Sequence, residues 1–439
     1  MIFNSILNFT QNKLQYLYEN SLFLQCIDKL IFMSILAVIF SSVILSSDGI
    51  GFIALITIFL TFVKLVTCKG EKLEPKTFEL WLLAYFMIVI ISLAGSTLFA
   101  LSLKGFMKTF TYLGFYLSVA HYLKNNTNKI PYIFGAIGLC ISFEGIIGFL
   151  QNFAHVEEIS TWQDVSNLNP EEVMTRVYGT LKPYNPNLLG GYFVAGLPAL
   201  FGISAYLAIE KKIKLLVSAL VLTLISVVAL FLTGCRGSYI GCMVIFAGIF
   251  AVSAKYLWQN YKKLYLSFVA FCFAIFTSAI LFVSALRARV LSIFAMRQDS
   301  SNSFRFNVYH SSIQMFKDNW LLGIGVGNKN FREIYGLYMR TGFDALSAYN
   351  IFLETAVESG IFALIAFLGF LATLVKNSIE FILKSSDIKK VIFVSAALIS
   401  ILAVMIHGLV DTVFFRPQIQ FVFWIMVAVI SSCLKIDEV

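Results

Sequence analysis

Long apolar runs separated by short polar links dominate the sequence. A run of about 20 apolar residues is long enough to cross the hydrocarbon core of a bilayer as a helix. Such runs predict twelve spans, near residues 28–46, 51–67, 79–100, 105–123, 131–150, 188–209, 214–233, 238–257, 264–286, 351–375, 390–410 and 415–434. The pattern predicts an all-α integral membrane protein with two long extracytoplasmic segments between spans.

The predicted spans divide the chain into six consecutive regions. They are an N-terminal cytoplasmic segment (1–27), N-terminal transmembrane helices (28–150), an extracytoplasmic loop (151–187), central transmembrane helices (188–286), a large extracytoplasmic loop (287–350) and C-terminal transmembrane helices (351–439). No small-residue cleavage pattern follows the first apolar run, so we expect that run to remain as the first span.

Composition excludes a soluble globular protein. Hydrophobic residues make up 59% of the 439 residues, charged residues only 13%, and mean hydropathy is +0.83, whereas a water-soluble domain carries about a quarter charged residues. The net charge of +9 lies in short basic clusters between apolar runs, so no nucleic-acid partner is expected. The seven Cys form no CxxC and have no nearby His at metal-ligand spacing, so we expect them to pack as small apolar residues and not to serve redox or zinc sites.

Lysines predict the orientation, because cytoplasmic loops of membrane proteins attract basic residues. With the N-terminus inside, the cytoplasmic links contain Lys69, Lys72, Lys76, Lys124, Lys129, Lys211, Lys212, Lys214, Lys262, Lys263, Lys376, Lys384, Lys389 and Lys390. Lys435 then places the C-terminus inside as well. Both termini are therefore predicted to be cytoplasmic.

Arginines fall on the opposite side under the same assignment. The outer residues are Arg176, Arg236, Arg287, Arg289, Arg297, Arg305, Arg332, Arg340 and Arg416. A guanidinium group binds phosphate or carboxylate through two parallel hydrogen bonds and keeps its charge. The outer face is therefore predicted to hold an anion site, although the same pattern would arise if codon bias made the inner charges Lys and the outer arginines only capped helices.

Polar residues in the two outer segments add further candidates. In GTLKPYNPNLLGGY, Asn185 and Asn187 precede a span and are placed either to cap it or to bind a ligand. The stretch SFRFNVYHSSIQMFKDNW predicts an amphipathic helix on the membrane surface, followed by a glycine turn in GIGVGNKNF. Tyr349 and Arg340 lie near Tyr335 and Tyr338, whose rings either stack on a sugar or sit at the membrane interface.

Acidic candidates are few. Glu354 and Glu358 lie four residues apart, hence on one face at the outer end of the tenth span. Asp411 lies in the last outer turn, with His407 predicted close to it. Glu144 lies within the fifth span, and the sequence indicates no partner for it.

Four stretches resemble a known family. They are Arg176 with GTLKPYNPN, LTGCRGSYIG around Arg236, SFRFNVY with FKDNWLLGIGVGN, and SAYNIFLETAVESG. Their order and spacing resemble the O-antigen ligase superfamily of membrane glycan ligases and polymerases, from about residue 140 onward. SAYNIFLE and HGLVDTVFFRPQ look most similar to the cyanobacterial branch known as bicarbonate transporter-like proteins.

The resemblance implies an enzyme that joins a glycan from an undecaprenyl diphosphate carrier to a glycan or glycolipid acceptor, and it implies that neither a metal nor a nucleotide cofactor is needed. The reaction would take place on the outer face of the bacterial inner (plasma) membrane. Arg236 and Arg305 match the family's two essential arginines, whose implied role is to hold the lipid diphosphate. Ligases carry a His, proposed as the base, before the Asn of the last motif, where this chain has Tyr349 before Asn350.

A tyrosine is a poor base at neutral pH, because its pKa is near ~10. We therefore expect Glu354 or Glu358 to be the base and Tyr349 to position the sugar. The residues expected to bind substrate are Arg176, Asn185, Asn187, Asn350 and Arg340.

Two other functions stay open at this point: a bicarbonate or other anion transporter, and a non-catalytic membrane partner protein. A transporter typically binds its substrate near the bilayer midplane, on broken helices related by internal repeats. The arginines predicted here gather at one face and no repeat is visible, which favours the enzyme. The replacement of the ligase His by Tyr349 favours the transporter.

Overall fold

The computed structural model describes residues 2–72, 74–154, 176–295 and 300–434, and these ranges contain helices and no strand. The helices are α1 Ile2–Asn20, α2 Leu22–Gln25, α3 Ile27–Ile44, α4 Ser47–Thr67, α5 Thr77–Gly95, α6 Phe99–Asn125, α7 Ile130–Gln151, α8 Pro186–Ile209, α9 Ile213–Leu232, α10 Arg236–Phe282, α11 Ser284–Leu291, α12 Ser300–Asp318, α13 Asn328–Tyr335, α14 Ile351–Lys384, α15 Ile388–His407 and α16 Pro417–Cys433. Most of the loop predicted over 151–187, together with Arg297 and Lys435, lies outside the described residues.

The prediction of an all-α integral membrane protein is confirmed. In the described ranges, nine helices are long and apolar enough to cross a membrane, and the shorter α16 is also apolar. Each of the twelve predicted spans overlaps one helix or one arm of a helix. The first seven overlap α3 to α9 in order, the next two overlap the two arms of α10, and the last three overlap α14, α15 and α16. The count of twelve stays a prediction, because α6 contains several charged residues and α16 has only 17 residues.

Helix α10 is a hairpin of two arms. Its 47 residues would extend about 70 Å if straight, more than twice the thickness of the hydrocarbon core. Tyr261 has non-helical angles (φ −132°, ψ 31°), and beyond it the Phe268 ring lies 6.4 Å from that of Phe250. The chain therefore folds back at Tyr261, and the arms correspond to the predicted spans 238–257 and 264–286.

Helix α14 is broken at Gly360. This residue has a φ of +79°, and a Cβ there would lie 2.1 Å from the carbonyl oxygen of Leu321, so only glycine fits. The glycine-rich loop between α12 and α13 packs into the break. Three backbone hydrogen bonds join them: Ile324 N to Val357 O at 3.0 Å, Gly325 N to Glu358 O at 2.9 Å and Ile361 N to Trp320 O at 2.9 Å. The polar backbone groups freed by the break are thus satisfied inside the protein.

The bundle has two chemically different ends. At one end, called the lysine end, several lysines form ion pairs with carboxylates, as in Lys64–Glu71 and Lys124–Glu74. At the other, called the arginine end, the helix termini bring Arg176, Arg236 and Arg305 together. Which end faces the cytoplasm stays a prediction.

Candidate functional site

A cavity of about 260 Å³ opens at the arginine end. It lies between the start of α10, helix α12 and the link after α15, and its lining includes Arg236, Gly237, Asn302, Arg305 and Tyr309. This volume is slightly below the ~300 Å³ at which pockets for drug-sized ligands begin. The cavity therefore has room for the head group of a larger substrate.

Arg236 enters the cavity from the first turn of α10. The N-cap residue, Cys235, provides no side-chain hydrogen bond to this helix start. Arg236 NH1 donates to the backbone oxygen and to Oγ of Ser292, both at 3.2 Å. The start of a helix carries partial positive charge, so the guanidinium and the helix favour an anion at the same place.

Arg305 reaches the same cavity from α12. NH1 donates to Ser301 Oγ at 2.7 Å, and NH2 lies 3.8 Å from Oδ2 of Asp411. The guanidinium carbon lies 5.8 Å from the centre of the Tyr349 ring, which is close enough for a cation–π contact. Arg305 is therefore held by three neighbours, in a fixed orientation beside the cavity.

Tyr349 lies just before α14 in the left-handed region, with a φ of +52°. Burial, and next the charge of Asp411, raise the pKa of its phenol above the ordinary value, despite the opposing effect of Arg305. A neutral phenol does not accept a proton at neutral pH. That Tyr349 positions a ligand stays a prediction, and the neutral phenol close to Arg305 is compatible with it.

A chain of polar contacts connects Arg176 to Arg305. Arg176 donates from Nε to Thr233 O at 2.8 Å and from NH2 to the side-chain oxygen of Asn187. Asn187 Nδ2 in turn donates to Asp411 Oδ2 at 3.2 Å, and the same oxygen faces Arg305. Arg176 is consequently part of the arginine end, although it is not among the residues that line the cavity.

Asn185 and Asn350 cap helices. Asn185 Oδ1 accepts from Asn187 N at 2.8 Å at the start of α8, and Asn350 Oδ1 accepts from Phe352 N at 2.9 Å at the start of α14. Capping, one of the two roles left open for Asn185, is therefore observed. Arg340 donates to Asn307 Oδ1 at 2.9 Å and does not line the cavity, and its role in substrate binding stays a prediction.

Glu354 and Glu358, the predicted candidates for the base, lie away from the cavity. Both are buried, and neither lines the cavity. Glu358 Oε1 accepts from Gly327 N at 2.8 Å, and Glu354 Oε2 from Ala348 N at 3.3 Å. Because the glycine-rich loop packs against α14, these carboxylates serve as acceptors for its backbone and for the segment before α14. These contacts are structural, and the catalytic role predicted for Glu354 or Glu358 stays a prediction.

Glu144, whose partner the sequence did not indicate, binds Thr180. The backbone N–H of Thr180 donates to Glu144 Oε2 at 2.9 Å, and the Thr180 hydroxyl donates to Oε1. Glu144 therefore anchors the segment that leads into α8 to helix α7, which is a structural role.

Cys235, His407 and Asp411 form a buried cluster behind the cavity. Cys235 Sγ lies 3.8 Å from His407 Nε2, and one potential ligand atom from each residue lies within 4.8 Å of the others. Burial raises the pKa of the Cys235 thiol, but the hydrogen bond and charge of His407 outweigh it and lower the pKa to about 7. Sulfur, imidazole and carboxylate ligands suit zinc, yet Asp411 already accepts from Asn187 and faces Arg305, which disfavours a divalent cation.

Arg289, in α11, is a site residue that the sequence did not single out among the outer arginines. Its Nε donates to Gly234 O at 2.7 Å. Burial, followed by the charges of Arg176 and Arg236, lowers the pKa of Arg289 to about 10. Its spacing from Arg287 in the RAR stretch shows two arginines on different sides of one helix, but not which of them faces inward.

The comparison with protein families bears on this site. Residues 195–368 match the family model described as O-antigen ligase, a range that includes Arg236, Arg305 and Tyr349 and extends from α8 into α14. No curated protein matches the chain significantly. The match supports the similarity of this chain to the O-antigen ligase superfamily of glycan ligases and polymerases. Together with the apolar helices, it supports a multi-pass membrane protein.

Proposed function

We propose that this protein transfers a glycan from an undecaprenyl diphosphate carrier to a glycan or glycolipid acceptor, on the outer face of the bacterial inner membrane. The observation that carries the proposal is the cavity in which Arg236, Arg305 and the start of α10 converge. The match of this region to the O-antigen ligase family supports it.

The proposed reaction is a displacement at the anomeric carbon of the donor glycan. The acceptor hydroxyl oxygen forms a bond to this carbon, and the bond between the carbon and the diphosphate oxygen breaks. The hydroxyl proton passes to a base, and the carrier leaves as undecaprenyl diphosphate. Negative charge develops on the leaving oxygen, where Arg236 and Arg305 donate hydrogen bonds from fixed positions.

We propose Asp411 as the proton acceptor. Like Glu354 and Glu358, Asp411 accepts from backbone N–H groups and is not itself a lining residue. Its second oxygen, Oδ2, however, lies 3.8 Å from Arg305, which lines the cavity. Asp411→Asn should therefore lower kcat by about 100-fold or more, while Glu354→Gln should affect folding more than turnover. The reverse pattern would restore Glu354 as the base.

Anion transport is the second candidate, and the break in α14 at Gly360 favours it. Broken helices hold ions and substrates in many transporters. The break is filled, however, by the glycine-rich loop, and the arginines that line the cavity lie at one end of the bundle. These two observations favour transfer over transport.

Reconstitution in liposomes distinguishes the two functions. The protein is supplied with lipid-linked oligosaccharide and an acceptor glycolipid, and release of undecaprenyl diphosphate is measured beside uptake of labelled bicarbonate. Release that depends on Arg236 and Arg305 would support transfer. Uptake that depends on these arginines, without release, would support transport. Arg332→Lys is the matched control, because Arg332 pairs with Asp344 on the surface and does not line the cavity.

A further inference from the structure

Two reciprocal hydrogen bonds lock the start of α10 to the end of α11. Arg289, in α11, donates to Gly234 O at 2.7 Å. In return Arg236, two residues after Gly234, donates to Ser292 O at 3.2 Å. The turn from which Arg236 enters the cavity is thus held by a residue on another helix.

Three guanidinium groups surround this turn. Arg176 contacts it as well, through Nε and the carbonyl oxygen of Thr233 at 2.8 Å. In the described part of the chain, neither Arg176 nor Arg289 lies within 4.0 Å of a carboxylate oxygen. Like charges held close together oppose folding, and such clusters are typical of sites that bind an opposite charge.

We infer that Arg289 is a positioning residue, which acts through the carbonyl group of Gly234 to aim Arg236 at a diphosphate anion in the cavity. The inference rests on the proposed function, because a diphosphate is the anion which that function requires. Arg289 is not among the cavity-lining residues. Its effect on the ligand is therefore indirect, through the turn and through its charge.

A residue with a purely structural role would behave differently. Its loss would lower the unfolding temperature whether or not an anion is present. Arg289 combines a hydrogen bond that stabilises the turn with a charge that Arg176 and Arg236 repel. Replacing only the charge should leave the protein without anion as stable as before or more stable, and should weaken the binding of an anion.

The experiment measures binding of inorganic pyrophosphate to the purified full-length protein, through the rise in its thermal unfolding temperature. Arg289→Gln removes the charge and keeps a hydrogen-bond donor, and Arg289→Lys keeps the charge and loses the planar guanidinium. Arg287→Gln is the matched control. It lies in the same helix two residues away, and its exposed side chain donates to Leu281 O at 3.1 Å.

We expect pyrophosphate to bind the parent and Arg287→Gln equally. Binding should be about 10-fold weaker in Arg289→Gln and only partly restored in Arg289→Lys. Equal binding in the parent and Arg289→Gln would overturn the role of Arg289 and leave the proposed function intact. Full recovery in Arg289→Lys would overturn positioning, because charge alone would suffice. Absence of pyrophosphate binding in the parent would contradict the anion site itself, and the proposed function with it.

Discussion

The two ends of the bundle use positive charge in different ways. At the lysine end, basic side chains meet carboxylates, as in Lys64–Asp28 at 2.8 Å and Lys124–Glu74 at 2.7 Å. At the arginine end, Arg176 and Arg289 donate to backbone carbonyl groups instead. A carboxylate cancels the charge of its partner, whereas a carbonyl group satisfies a donor and leaves the charge in place.

This difference indicates different purposes. The ion pairs at the lysine end stabilise the links between helices, and the charges in these pairs are already balanced. At the arginine end, Asp411 lies 3.8 Å from Arg305, whereas among the described residues no carboxylate oxygen lies within 4.0 Å of Arg176 or Arg289. The charges of Arg176 and Arg289 are the physical motive for the proposed diphosphate site.

The largest expected effect is on glycan transfer, when one type of basic side chain replaces the other at each end of the bundle. Arg236→Lys keeps the charge and loses the planar fork, so transfer should fall by about 100-fold or more, nearly as far as in Arg236→Ala. Lys124→Arg, the corresponding exchange at the lysine end, should leave transfer unchanged. Turnover of lipid-linked oligosaccharide measures both. Full activity of Arg236→Lys would show that this residue contributes charge alone.

A smaller effect is expected at the lysine end, in the dependence of stability on pH. The hydrogen bond from His121, opposed by burial and assisted by Lys64, lowers the pKa of Glu71 from 4.5 to about 2. The folded-state pKa is depressed, so the stabilisation is complete above pH 4.5 and is lost as the pH falls towards 2.

The unfolding temperature should accordingly drop by several degrees over this acidic range. In Glu71→Gln the drop should be smaller, because the variant has no carboxyl group to protonate at this position. Thermal unfolding at a series of pH values measures it. Identical pH profiles for the parent and the variant would show that the ionised Glu71 carboxylate does not stabilise the fold.

The smallest expected effect concerns Tyr349. Tyr349→His introduces the residue type found in the ligases that the sequence resembles. In the parent, the guanidinium carbon of Arg305 lies 5.8 Å from the centre of the Tyr349 ring, and the imidazole ring of the variant should face Arg305 in the same way. If Asp411 accepts the proton, transfer should be unchanged or slightly raised. An inactive Tyr349→His variant with normal folding would mean that the phenol itself is required.

The sequence was sufficient to predict the membrane helices, because about 20 consecutive apolar residues have few alternatives to crossing a bilayer. It separated the two arms of α10 correctly, although they form one continuous run of helix apart from Tyr261. It also distinguished lysine links from arginine links, since charge and residue type are visible without a structure.

The detailed roles could not be predicted, because they depend on contacts between distant segments. The sequence placed Glu354 and Glu358 on one helix face, but it could not show that Gly327 N, in the glycine-rich loop, donates to Glu358. Cys235 and His407 lie 172 residues apart, so sequence spacing could not show that they touch. The inward direction of Arg289 likewise depends on how α11 packs.

The most direct test of the account is the binding of a polyprenyl diphosphate to each end. Dissociation constants would be measured for the parent, for Arg236→Lys and for Lys124→Met, a variant that removes a charge at the lysine end. The account predicts binding at least 10-fold weaker in Arg236→Lys, a change of about 1.4 kcal/mol, and no change in Lys124→Met. Equal affinity in all three proteins would contradict it, because the arginine end would then hold no diphosphate.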